Sequence, residues 1–227
     1  MYRGERLRDA GADGSFERLF RNHDGKLIDK WHHYLPLYDR YFGHLKGSAV
    51  RVLEIGVSGV GSLEIWRSFF GPDATLYGID IDPACARYDR LHGQVWIGSQ
   101  DDPDFMRKVV DEMGGADLVI DDGSHITEHI RASLNVPFAL VSEDGLYWIE
   151  DLHATYWASH DGGYQDESTV INDFRQMYDD MHHWYHQMPQ QVGATADTLA
   201  GIHLHDSVAV LEKATVSLPQ RTMLEHQ

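Results

Sequence analysis

A chain of 227 residues that carries 19 Lys and Arg against 36 Asp and Glu has a net charge of −17. Such a surface repels phosphate backbones and anionic lipid, which argues against nucleic acid and membrane surfaces as partners but admits a cationic substrate or a divalent metal. The 42% hydrophobic content suits an ordinary globular chain, and the single cysteine, Cys85, excludes an intrachain disulfide and a Cys-based zinc site. With no signal-like or membrane-length apolar run, a soluble cytoplasmic protein is expected.

Residues 1–26 mix Arg, Asp and Gly without period and are expected to form a mobile tail ahead of a single domain, 27–227. In Leu27–Phe42 the apolar residues recur at helical spacing around Trp31, Leu35 and Tyr38, and Pro36 suits a helix start. The stretch 27–46 is therefore expected to be a helical lid segment. Val50–Gly56 is a short β-branched run ending in glycine, as in a buried parallel strand. The pattern then predicts a helix over Ser62–Phe70, strands at Thr75–Ile81 and Gln94–Gly98, and a helix over Pro103–Met113. Beyond these come a strand at Ala116–Asp122, a helix from His125 to about Val141, a strand at Gly145–Asp151 and a long helix over Ser168–His186. Leu199–His205 and Ser207–Ala214 close the chain as two strands turning at Asp206. Alternating strands and helices predict an α/β fold. It is a doubly wound, mostly parallel, Rossmann-like sheet of about seven strands with a C-terminal antiparallel hairpin.

The first strand runs into Glu54-Ile-Gly56-Val-Ser-Gly59-Val-Gly61 and a helix, and Asp80 ends the second strand. Glycines admit a ligand close to the backbone, the helix offers free amides, and an acid after the second strand accepts ribose hydroxyls. The glycine order is not the dinucleotide G-x-G-x-x-G. Glu54 would oppose a pyrophosphate but suit a ligand bearing ammonium and sulfonium charge, which points to S-adenosylmethionine bound at Glu54, Gly56, Gly61 and Asp80. The plainer alternative is a glycine turn that only packs a helix on the sheet.

Acids cluster after the fourth and fifth strands, in Asp121-Asp122-Gly-Ser-His125 and Glu150-Asp151-Leu-His153. Strand ends in a doubly wound sheet face the ligand crevice, and four carboxylates converging there call for a cation. Hard oxygen donors suit Mg²⁺, with Asp122, Glu150 and Asp151 as ligands and Asp121 in a structural or cofactor-side role. His125, at an expected helix start and near a dication, should be neutral and fit to act as general base, or else simply hydrogen-bond its turn.

The runs Asp121-Asp-Gly-Ser-His-Ile-Thr-Glu-His129 and Tyr147-Trp-Ile-Glu-Asp-Leu-His-Ala-Thr-Tyr-Trp157 resemble the metal-dependent sugar O-methyltransferases of macrolide biosynthesis. Asp29-Lys-Trp-His-His-Tyr-Leu-Pro-Leu-Tyr38 and Gly78-Ile-Asp-Ile81 extend the likeness over residues 27–157. The resemblance implies the class I methyltransferase fold; as a departure from it, the separate N-terminal domain that some macrolide enzymes carry is not expected here. It also implies magnesium on Asp122, Glu150 and Asp151, and His125 as catalytic base. The adenine side is expected near Ser99, Gln100 and Asp121, although relatives tend to carry an acid in place of Ser99. The implied substrate is a hydroxyl of a small-molecule glycoside or aminosugar in antibiotic biosynthesis, and the implied assembly a homo-oligomer. Two other classes compete. A nicotinamide-linked oxidoreductase is opposed by the glycine order and Glu54. A non-catalytic adenosine- or metal-binding protein has no need of a base beside a metal. His153 is expected as a partner of the acids or a reserve base. His182 and His186 are assigned to a solvated helix face, since the zincin acid is missing. Tyr156 and Trp157 are placed to line an acceptor pocket.

Overall fold

The computed structural model describes residues 15–188 and 191–224. Seven strands form one sheet in the order β3-β2-β1-β4-β5-β7-β6. These are β1 (Arg51–Ile55), β2 (Thr75–Asp80), β3 (Gln94–Ile97), β4 (Ala116–Asp121), β5 (Val141–Ile149), β6 (Leu199–His205) and β7 (Val208–Lys213). The first five pair in parallel; β7 runs antiparallel to β5, and β6 antiparallel to β7. The doubly wound sheet with its closing hairpin is as expected. Strand order reverses between β1 and β4, so their carboxyl ends open the crevice where such sheets bind ligands.

Alternation along the strands divides the core in two. Val52, Leu118, Ile120 and Trp148 face α1 (Ser15–Arg21), α2 (Leu35–Phe42) and α3 (Gly61–Phe70). On that side Phe16, Tyr38, Phe42, Trp66 and Phe70 form a nearly continuous aromatic layer, with Phe16–Tyr38 centroids 4.4 Å apart. Leu53, Ile55, Val119, Tyr147 and Ile149 face α4 (Pro103–Met113), α5 (Thr127–Asn135), α6 (Pro137–Leu140) and α7 (Val170–Met181). No described helix is long and apolar enough to cross a membrane.

Several boundaries differ from expectation for local reasons. The expected mobile tail extends to residue 26, but its first 14 residues lie outside the described ones. Ser15–Arg21 is helix α1 and packs on the core: Asp39 accepts from the Ser15 hydroxyl and the Phe16 amide, and Phe16 is buried. Pro36 opens α2 as anticipated, yet Leu35, Tyr38 and Phe42 are fully buried, so α2 is a layer of the core. The single helix expected from His125 to Val141 is two, because Pro137 restarts it. Helix α7 stops at Met181, and His183–Tyr185 form a separate 3-10 turn.

Candidate active site

The acids after β4 split by strand geometry. Asp121 follows Val119 onto the α4–α7 side and is only 1% exposed. Its carboxylate accepts from Tyr147 Oη at 3.0 Å and Gln100 Nε2 at 3.2 Å, and burial pushes its pKa up to about 6. Gln100 also donates to Ser133 and accepts the Ser124 amide, tying the turn after β3 to the turn after β4. Four carboxylates therefore do not converge, because Asp121 and Asp122 leave the sheet on opposite faces. Asp121 and Gln100 brace the crevice from below, and the Ser99 hydroxyl donates to Asp101.

On the α1–α3 side a buried lysine organises the remaining acids. Lys30 Nζ donates to Asp122 Oδ2 at 2.5 Å and to Glu150 Oε2 at 2.7 Å. Burial works against its charge, but the fields of Asp122, Glu150 and Glu54 outweigh that cost and raise its pKa well above the ordinary lysine value. Tyr34 Oη donates to Asp151 Oδ1 at 2.7 Å, and Tyr38 Oη to Glu150 Oε1 at 2.7 Å, joined there by Trp148 Nε1 at 2.9 Å. Burial raises the pKa of both phenols, so they remain donors. Each of the three expected metal acids thus takes a hydrogen bond from one segment, through Lys30, Tyr34 or Tyr38. Sequence reasoning named none of the three as functional. Their four-residue spacing within the motif was the available signal.

Asp122, His125 and Asp151 bring one ligand atom each within 4.8 Å of one another. His125 Nε2 lies 3.7 Å from Asp151 Oδ2. Glu150, also expected as a ligand, is held differently. It is 1% exposed with both oxygens engaged, and its link to the cluster runs through Lys30. His125 and Asp151 both adopt left-handed backbone, at φ +58° and +53°. Non-glycine residues pay roughly 1–2 kcal/mol for this conformation, which the surrounding contacts must offset. The His125 pKa is lowered, as expected, but burial is the main cause, with Asp151 opposing it. His125 lies just outside α5, which begins two residues later, at Thr127. His153 flanks the acids, 3.9 Å from Asp151 and bonded to Ser207 Oγ at 2.5 Å. Its ring meets Trp157 at 4.8 Å and Trp31 at 5.5 Å, and these two tryptophans remain 49% and 54% exposed beside the cluster.

The glycine loop is built for close approach. Gly56 has φ +86°, and a Cβ there would stand 2.2 Å from the Asp122 carbonyl, so the loop and the β4 turn abut directly. Asp80 accepts the Ser58 amide at 2.8 Å and the Asp82 amide at 2.8 Å, anchoring the loop to the end of β2. A cleft of about 340 Å³ lies there, lined by Ser58, Gly59, Asp80, Asp82 and Arg87 among others. Two expected cofactor residues face elsewhere. Glu54 has no exposed surface; Ser62 and Trp66 donate to it, and burial raises its pKa to about 6. Gly61 admits the chain itself, because the Leu27 carbonyl would lie 2.3 Å from a Cβ at that position.

No family model matches the chain. It is 37% identical over 213 residues to the 8-demethyl-8-(2-methoxy-alpha-L-rhamnosyl)-tetracenomycin-C 3'-O-methyltransferase of Streptomyces olivaceus, a match covering 88% of this chain and 54% of that protein. It is 36% identical over 197 residues to the mycinamicin VI 2''-O-methyltransferase of Micromonospora griseorubida, covering 80% and 48%. A solved structure of the MycE methyltransferase from the mycinamycin biosynthetic pathway, in complex with Mg, SAH and mycinamycin VI, aligns with a TM-score of 0.77 at 32% identity, over 89% of this chain and 53% of that one. The chain resembles the macrolide sugar O-methyltransferases. Its sheet is the class I methyltransferase sheet, with the antiparallel hairpin at the C-terminal end. It spans about half the length of the curated relatives it matches.

Proposed function

We propose that the chain carries an Mg²⁺-dependent O-methyltransferase site that moves the methyl group of S-adenosylmethionine to a hydroxyl of a sugar on a natural product. The observation that carries this reading is the meeting of Asp122, His125 and Asp151 beside the glycine loop. Likeness to glycoside O-methyltransferases over most of the chain supports it.

The residues fit a dication. Asp122, Glu150 and Asp151 set against Lys30 leave two negative charges uncompensated, and hard carboxylate oxygens suit magnesium. Asp122 and Asp151 would hold it, with Glu150 fixed behind them by Lys30 and Tyr38, and Tyr34 orienting Asp151. When bound, such an ion supplies positive charge that lowers the pKa of an acceptor hydroxyl. The chain's own residues do the rest. Asp80 and the loop from Gly56 to Gly59 hold the adenosyl half. His125, kept neutral by burial, takes the acceptor proton on Nε2. The hydroxyl oxygen then forms the new C–O bond as the methyl–sulfur bond breaks in line, with the electron pair left on sulfur. Trp31 and Trp157 offer apolar faces for the acceptor next to this point.

The test is transfer of labelled methyl from S-adenosylmethionine to a panel of glycosides with magnesium, in the wild type and in His125→Ala. The wild type is expected to label a sugar hydroxyl, and the variant to lose about 10²–10⁴-fold in rate with its fold intact. No labelling, together with binding of NAD in place of S-adenosylhomocysteine, overturns the reading. A variant within tenfold of the wild type removes His125 from the role of base.

A further inference from the structure

We propose that Lys30 is a resident counter-cation of the acid cluster, holding Asp122 and Glu150 together before a divalent metal arrives and opposing that metal once it is bound. The inference rests on the reading that the metal binds at these acids.

The burial of Lys30 carries the argument. Its side chain is 2% exposed and its ammonium bridges two carboxylates from the turns that follow different strands, β4 and β5. Glu54 from β1 adds its field from the same side of the sheet, and Tyr34 and Tyr38 donate to Asp151 and Glu150 from the segment that carries Lys30. Without a cation, carboxylates packed this closely would repel one another and splay the β4 and β5 turns. With Lys30 present the cluster stays assembled, so its geometry is set before metal enters. The same charge then sits next to any dication bound by Asp122. Like charges a few ångströms apart in a partly buried site repel strongly, so Lys30 loosens the metal even as it organises the ligands. A lysine that merely packed the turn would leave metal affinity unchanged or, on removal, weaken it.

Lys30→Met and Lys30→Arg, with Tyr38→Phe as a neutral control, test this by calorimetric titration with magnesium chloride and by thermal melting with and without magnesium. Lys30→Met is expected to melt lower than the wild type in chelator, yet to bind magnesium at least about tenfold tighter and gain more in melting temperature from it. Lys30→Arg should stay near the wild-type affinity. Tyr38→Phe, which loses a hydrogen bond to Glu150 but no charge, should not tighten. If Lys30→Met unfolds in chelator, refolding with magnesium should restore a cooperative melt, and failure to do so overturns the proposal. Equal or weaker magnesium binding by Lys30→Met, with normal binding by the wild type, overturns it and leaves the metal reading standing. No magnesium binding by either protein removes both.

Discussion

At the scale of single residues, the strand period of two sorts side chains that sequence places side by side. Asp121 and Asp122 are neighbours, yet one is a braced core carboxylate and the other an edge of the candidate metal cluster. Glu54 obeys the same rule. It faces α3, where Ser62 and Trp66 satisfy its oxygens, and its charge lies close enough to support Lys30. Burial raises its pKa from 4.5 to about 6. The folded state therefore holds this proton more tightly than the unfolded chain does. Stability is fully present below about pH 4.5 and falls as pH rises through about 6, by about 2 kcal/mol. Glu54→Gln keeps an acceptor for Trp66 but cannot ionise. Urea titrations across this range should show the variant gaining on the wild type between pH 4.5 and 6 by about that amount. A difference that stays constant with pH would show that the Glu54 charge is compensated in the folded protein.

At the scale of elements, the segment before α2 does most to shape the site. Residues 26 and 27 lie across the start of α3, Lys26 donates its amide to Glu64, and the chain then delivers Lys30, Tyr34 and Tyr38 to the acids. Gly61 makes that crossing possible. An alanine Cβ at Gly61 would meet the Leu27 carbonyl at 2.3 Å, whereas one at Gly59 would stand at 3.4 Å, an ordinary contact. Gly61→Ala should therefore cost about 1–3 kcal/mol in a denaturant titration, and Gly59→Ala well under 1 kcal/mol. Equal effects would show that the crossing segment yields freely. The same segment marks what a sequence can and cannot disclose. The β-branched runs, the glycine turn and the paired acids announce themselves through local period and composition, so β1 to β7 and the positions of Asp80, Asp122, His125 and Asp151 were legible. Lys30 was not, because its meaning depends on contacts 92 and 120 residues away. Nor was the role of Gly61, since a glycine that admits a ligand and one that admits its own backbone are written identically.

At the scale of the whole molecule, the candidate site is divided at the switch point between β1 and β4. The glycine loop, Asp80 and the cleft beside them belong to the β1–β3 half, while Asp122, His125, Glu150 and Asp151 belong to the β4–β5 half. The halves touch where Gly56 meets the Asp122 carbonyl, so the proposed cofactor and metal positions would adjoin without sharing side chains. Two perturbations should therefore separate. Asp80→Ala removes the acceptor of the Ser58 and Asp82 amides and any ribose contact, so S-adenosylhomocysteine should bind at least about tenfold more weakly while magnesium affinity stays within about threefold. A chelator should abolish methyl transfer while leaving S-adenosylhomocysteine affinity within about threefold, because no side chain that anchors the glycine loop is an acid of the metal cluster. Calorimetry with each ligand in the presence and absence of the other measures both effects. Loss of magnesium binding in Asp80→Ala would mean that the halves are coupled through the Gly56–Asp122 contact. Full turnover in chelator would remove the metal from Asp122 and Asp151 and leave Lys30 as the cluster's working cation.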